Sequence, residues 1–116
     1  MIKINALDNK QRQIITQIFE DVEVVFTFEF YETIRRWVVS FTYNLQNITI
    51  IRNNIPILPN QQIFYKWRNL VPFEMLCISN DNLPPIDIEA FTLGNCSGED
   101  EGLFLLTKNE IEELTK

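Results

Sequence analysis

Histidine is absent from the 116 residues. That removes the side chain whose unperturbed pKa lies nearest neutrality, and with it the commonest general base and metal ligand. Cysteine occurs twice, as Cys77 and Cys96, too few to close a zinc site. Neither has a histidine to activate it as a nucleophile. Both sit among apolar or small residues and read as reduced, partly buried thiols; a disulfide between them is also compatible with the sequence. Glycine occurs three times, as Gly94, Gly98 and Gly102, and builds no phosphate-cradling loop. Cations are outnumbered, with 10 Lys plus Arg against 16 Asp plus Glu and a formal net charge of −6. Such a field repels phosphate backbones and argues against nucleic-acid binding. No apolar run is long enough for a transmembrane helix. The start, Met1 to Asp8, lacks the basic opening and apolar stretch of a signal peptide, so folding in a cytoplasm is expected.

What remains is rich in aromatics: nine Phe, three Tyr and two Trp. A chain of this length suits one domain and buries roughly two-thirds of its unfolded surface, enough for a core without staples. Val22 to Tyr31 puts Val24, Phe26, Phe28 and Phe30 on one face and Glu23, Val25, Thr27 and Glu29 on the other. That period of two is the mark of a strand with one buried face. Trp37 to Asn44 repeats it, with Trp37, Val39, Phe41 and Tyr43 inward. The two runs predict an antiparallel hairpin with an aromatic core face.

Shorter signals surround the hairpin. Ile2, Ile4 and Ala6 alternate with polar residues, and Asp8 to Arg12 reads as a turn. Gln13 to Phe19 is either a strand or one amphipathic turn. Gln46-Asn47 is a turn, Ile48 to Arg52 a strand, and Asn53-Asn54 another turn. Ile55 to Pro59 carries two prolines, which restricts it to an edge or irregular segment. Phe73 to Ser79 and Leu103 to Thr107 read as strands, Ile86 to Leu93 is ambiguous, and Gly94 to Gly102 is an acidic loop. Lys108 to Lys116 is either a short helix or a frayed tail. The pattern predicts a single all-β domain over residues 1–116, a small antiparallel barrel or sandwich of about six to eight short strands.

Candidate chemistry is thin. Glu29 and Glu32 could pair for acid–base work, but one falls on a strand's solvent face and the other in a turn. Glu99-Asp100-Glu101 lacks the spaced oxygens of a calcium loop. Arg35, Arg36, Arg52, Lys66 and Arg68 interleave with Trp37, Tyr65 and Trp67, a pattern that a single-strand stacking platform shares with an ordinary core fringed by cations. The sequence therefore predicts no catalytic residue, cofactor or metal, and no enzyme activity. The segment from Asn54 to Pro72 holds more apolar bulk than a surface loop needs. Ile55, Ile57, Leu58, Ile63, Phe64, Tyr65, Trp67 and Arg68 either cover an open sheet edge or form a protein interface.

The order of these features resembles the small baseplate plug proteins of contractile-tailed bacteriophages. The residues that carry the resemblance are Ile2-Lys3-Ile4-Asn5-Ala6-Leu7, Gln13-Ile14-Ile15, Phe28-Glu29-Phe30-Tyr31, Arg35-Arg36-Trp37-Val38-Val39-Ser40-Phe41, Asn54-Ile55-Pro56-Ile57-Leu58, Leu70-Val71-Pro72-Phe73, Pro84-Pro85-Ile86-Asp87 before Phe91, and Leu103-Phe104-Leu105-Leu106. They span residues 2 to 107. Asn53-Asn54 stands where the family usually carries glycine, and the stretch Gly98 to Gly102 and the tail after Lys108 are longer. The resemblance implies a structural virion protein at the centre of a tail baseplate, linking the tail tube or tape measure end to the hub and spike. It implies a homo-oligomer, a trimer or hexamer, with hub, tube, spike or tape measure proteins as partners and no cofactor. The alternative is a small ligand-binding barrel, against which the bulk of Phe26, Phe28, Phe30, Trp37 and Phe41 argues by filling the interior, or a non-catalytic accessory subunit of another complex.

Overall fold

The computed structural model describes residues 2–4, 10–19 and 21–114. Ala6 and the Asp8–Asn9 part of the expected first turn lie outside the described residues. The elements in chain order are β1 (Ile2–Lys3), β2 (Arg12–Phe19), β3 (Val22–Tyr31), β4 (Arg36–Leu45), β5 (Ile48–Pro56), β6 (Phe73–Ile78), β7 (Gly102–Thr107) and α1 (Lys108–Leu114). They form one four-stranded sheet, ordered β2-β3-β4-β5, and one three-stranded sheet, ordered β1-β7-β6, antiparallel throughout. The all-β expectation holds in its sandwich form. The barrel form does not: among the described residues β1 pairs with β7 and no ladder joins the two sheets.

The hairpin β3–β4 is the foundation. Its inward residues meet as Val24↔Tyr43, Phe26↔Phe41, Phe28↔Val39 and Phe30↔Trp37, all buried. Tight links hold it in register. Asp21, Arg35 and Gln46 take the left-handed conformation at the three hairpin turns (φ 66, 50 and 53), which matches the right-handed twist of the flanking strands. Gln13 to Phe19 resolves as a strand, with eight uninterrupted pairs to β3.

Phe73, on β6 of the second sheet, ties the two layers together. Its ring lies 5.8 Å from Phe19, 5.5 Å from Phe26, 5.4 Å from Phe41 and 5.7 Å from Tyr43. Most of these contacts are edge-on, the arrangement that aligns the positive rim of one ring with the negative face of the next. A core filled this way leaves the middle of the domain to side chains.

Asn53-Asn54 is not a turn. β5 runs through it, and the register slips by one residue between Val39 and Phe41. Asn54 takes φ 56, and its N–H donates to Ser40 Oγ at 3.0 Å. The extra residue is absorbed as a bulge, which bends an edge strand without ending it. The chain then continues through Ile57, whose N–H donates to the Trp37 carbonyl at 3.1 Å.

Ile86 to Leu93 forms successive turns rather than a strand. Its purpose in the fold is to close over Trp37: Phe91 packs edge-on at 5.4 Å, and the Asp87 carbonyl accepts the indole N–H at 2.9 Å. The tail is helical over Lys108–Leu114, and Thr115 and Lys116 lie outside the described residues. Thr107 Oγ1 accepts from the Glu110 N–H at 3.3 Å and Glu110 Oε1 accepts from the Thr107 N–H at 3.1 Å, a reciprocal cap that satisfies two backbone donors. Among the described residues no helix is long and apolar enough to cross a membrane.

Candidate interaction surface

The segment after β5 leaves the first sheet and crosses to the open side of β6. Asn60 N–H donates to the Cys77 carbonyl at 2.7 Å, and Ile63 N–H to the Met75 carbonyl at 3.0 Å. Pro59 and Gln62 form single bridges to Cys77 and Leu76. These bonds blunt an edge that would otherwise template pairing with another chain. The eight candidate residues divide accordingly. Ile55, Ile57 and Phe64 are buried in the core, which fits the covering alternative for these three. Phe64 stacks on Phe26 and meets Phe41 and Phe73 edge-on. Ile63 and Trp67 are half-buried, while Leu58, Tyr65 and Arg68 face outward with Leu70.

The outward residues carry cations. Arg68 lies 4.2 Å from the centre of the Tyr65 ring. Arg52 and Lys66 approach Trp67 at 6.0 and 5.9 Å. The structure thus gathers three of the five cations of the sequence pattern around the 3-10 turn at Tyr65–Trp67. It leaves Arg35 and Arg36 apart, bonded to the carbonyls of Ile86 and Arg35, and Trp37 in the core.

Beside this turn runs an open groove of about 460 Å³. Its floor holds Glu74, a residue the sequence reading passed over. Glu74 is buried on the face of β6 away from Phe73, because the crossing segment and α1 roof that face. Glu74 Oε1 accepts the N–H groups of Phe64 at 2.5 Å and Met75 at 2.8 Å. Burial pushes its carboxyl above the ordinary range, and the two amides pull it part of the way back. The rim carries Tyr65, Arg68, Lys108 and Glu112. This is a groove of mixed charge whose carboxylate already serves the backbone, suited to recognition of a polar surface. Its only sequence signal was a lone acidic residue in the apolar run Phe73 to Ile78.

The remaining candidates resolve separately. Glu29 stands opposite Arg12 and Val38 on the outer face of its sheet, and Glu32 is exposed in the next turn. Glu101 Oε2 accepts the Asn80 N–H at 3.1 Å, and Lys3 Nζ donates to the carbonyls of Gly98 and Glu99 at 3.0 Å each. These bonds make the acidic loop a folded strap. Among the described residues no three Cys, Asp or Glu side chains are grouped to hold a metal. Cys77 and Cys96 are free, buried thiols with sulfurs 3.9 Å apart. Either sulfur can be the donor in this contact, and together with Ser79 it pulls the Cys96 thiol down. The same contact, with burial, pushes Cys77 far up.

No protein-family model matches the chain, and no curated protein matches its sequence.

Proposed function

We propose that this chain is a structural part of a contractile phage tail, a plug-like component at the centre of the baseplate that links the tail tube or tape measure end to the hub and spike. Two things support the reading. One is the resemblance in the order of strand, turn and apolar segments over residues 2 to 107. The other, the observation that carries it, is apolar and aromatic surface left over after the core is filled: Leu58, Tyr65 and Leu70 stay exposed on a segment whose inward residues already complete the packing. Side chains of this kind, with Arg68 beside them, are those that anchor protein interfaces. The reading assigns no chemistry to the chain; its work is to fit, and its location is the virion.

The test is assembly. Genes for tape measure, hub, spike and wedge proteins flanking this one are expected, as is density for the sandwich on the tail axis in electron micrographs of the virion. A gene neighbourhood free of tail genes overturns the reading. So does capture of no hub, tube, spike or tape measure protein by the purified chain from the phage lysate.

A further inference from the structure

We propose that two copies of this chain pair through β2, edge to edge and antiparallel, joining their four-stranded sheets into one continuous sheet. The argument begins with which way β2 faces. The Phe30 N–H donates to the Gln11 carbonyl at 2.8 Å, and the register with β3 continues without a break from Arg12↔Glu29 to Phe19↔Val22. In an antiparallel ladder, bonded and non-bonded pairs alternate. Gln13, Ile15 and Gln17 therefore turn their backbone groups to β3. Arg12, Ile14, Thr16 and Ile18 turn theirs to the open side. β2 ends the order of its sheet, and no described residue bonds to that open side.

The side chains are inverted relative to an ordinary edge. Gln13 and Gln17 lie on the half-buried face, while Ile14 and Ile18 are 57% and 69% exposed on the outer one. β2 has no proline, glycine, bulge or lysine to discourage pairing, the devices by which exposed edges are usually protected.

The strand is complementary to itself. With Thr16 on a two-fold axis, Ile14 of one copy faces Ile18 of the other, and the same pair repeats across the axis. The outward N–H and C=O groups of Ile14, Thr16 and Ile18 then meet their counterparts. Charge agrees with this direction. Arg12 opens the strand, and Asp21 and Glu23 follow its far end, all exposed. Antiparallel pairing sets the cation of each copy beside the carboxylates of the other; a parallel pairing sets like beside like. A two-fold contact consumes the edge and closes. The inference does not rest on the tail reading: a monomer leaves that reading standing, and a dimer does not establish it.

The experiment is sedimentation velocity on the purified chain across a dilution series, with far-UV circular dichroism to confirm folding. The wild type is expected to reverse between dimer and monomer on dilution. Thr16→Pro deletes an outward N–H without touching the ladder to β3, and Thr16→Lys sets two like charges face to face on the axis. Both are expected to lose the dimer. Arg12→Glu is expected to weaken it. A wild type that is monomeric throughout overturns the proposal, as does a dimer that persists in folded Thr16→Lys. An Arg12→Glu dimer as tight as wild type overturns the antiparallel register.

Discussion

Replacing Phe64 by alanine tests whether the segment after β5 belongs to the core. The ring is fully buried, 6.1 Å from Phe26, 5.0 Å from Phe41 and 5.6 Å from Phe73. Truncating a buried Phe costs about 3–5 kcal/mol, transfer and cavity together. The upper half of that range applies here, because three rings fixed by two sheets cannot collapse into the space. A domain of 116 residues is stable by about 6–17 kcal/mol at 0.05–0.15 kcal/mol per residue, so Phe64→Ala removes a large share. With an unfolding entropy of about 2.1 cal/mol/K per residue, the melting midpoint falls by roughly 16–20 °C. Tyr65 is the control. It is its neighbour in sequence but half-exposed, with its ring 4.2 Å from the Arg68 guanidinium. Such an exposed cation–ring contact contributes about 0.5–1 kcal/mol, so Tyr65→Ala loses about that much. Urea unfolding followed by the fluorescence of Trp37 and Trp67 reads both variants against wild type. The reasoning fails if Phe64→Ala costs less than about 1 kcal/mol at unchanged urea sensitivity, or if Tyr65→Ala costs as much.

Glu74 makes stability depend on pH. Its native pKa is raised by burial, so between the unfolded value near 4.3 and the raised native value the folded chain holds the extra proton, and stability falls as pH rises through that window. Glu74→Gln keeps an oxygen for the Phe64 and Met75 amides and flattens the profile; parallel urea midpoints for the two proteins across the window refute this. Asn54→Gly is expected to stay within a few tenths of a kcal/mol of wild type, while Asn54→Val costs roughly 1–2 kcal/mol for a branched residue at positive φ. Equal urea midpoints for the two Asn54 variants refute the bulge.

The parts of the fold that are legible in the sequence are those where one local rule decides. The β3–β4 hairpin reads directly, because Val24 to Phe30 and Trp37 to Tyr43 keep a strict period of two over ten-residue strands. The helix at Lys108 is half legible: composition leaves it open against a frayed tail, and the reciprocal bonds of Thr107 and Glu110 decide for the helix. Legibility ends where distant contacts decide. Asn53-Asn54 has turn chemistry, but pairing of Ile55 and Pro56 with Val39 and Val38 pulls the strand onward and leaves Asn54 as a bulge. Ile86 to Leu93 has no period because its apolar residues serve Trp37, fifty positions earlier. The candidate surface splits for the same reason. Ile57 and Phe64 differ from Leu58 and Tyr65 only in which way the chain happens to turn as it crosses β6. Glu74 was invisible as a buried group, since its roof comes from the crossing segment and α1.

The four sheet edges suggest why assembly would proceed through β2 and then stop. The β6 edge is taken by Asn60 and Ile63. The β5 edge carries a bulge at Asn54 and Pro56 at its end, both of which interrupt an incoming ladder. β1 is two residues long, too short to hold a partner strand. Among the described residues only β2 offers a straight run of outward backbone groups. A domain with two good edges polymerises, because each added copy presents a fresh one. A domain with one can only pair, and the pair buries what made it adhesive. The protection of three edges and the exposure of the fourth are then a single property: growth by strand addition ends at two copies, and any larger order must be built from side chains such as Leu58, Tyr65 and Arg68.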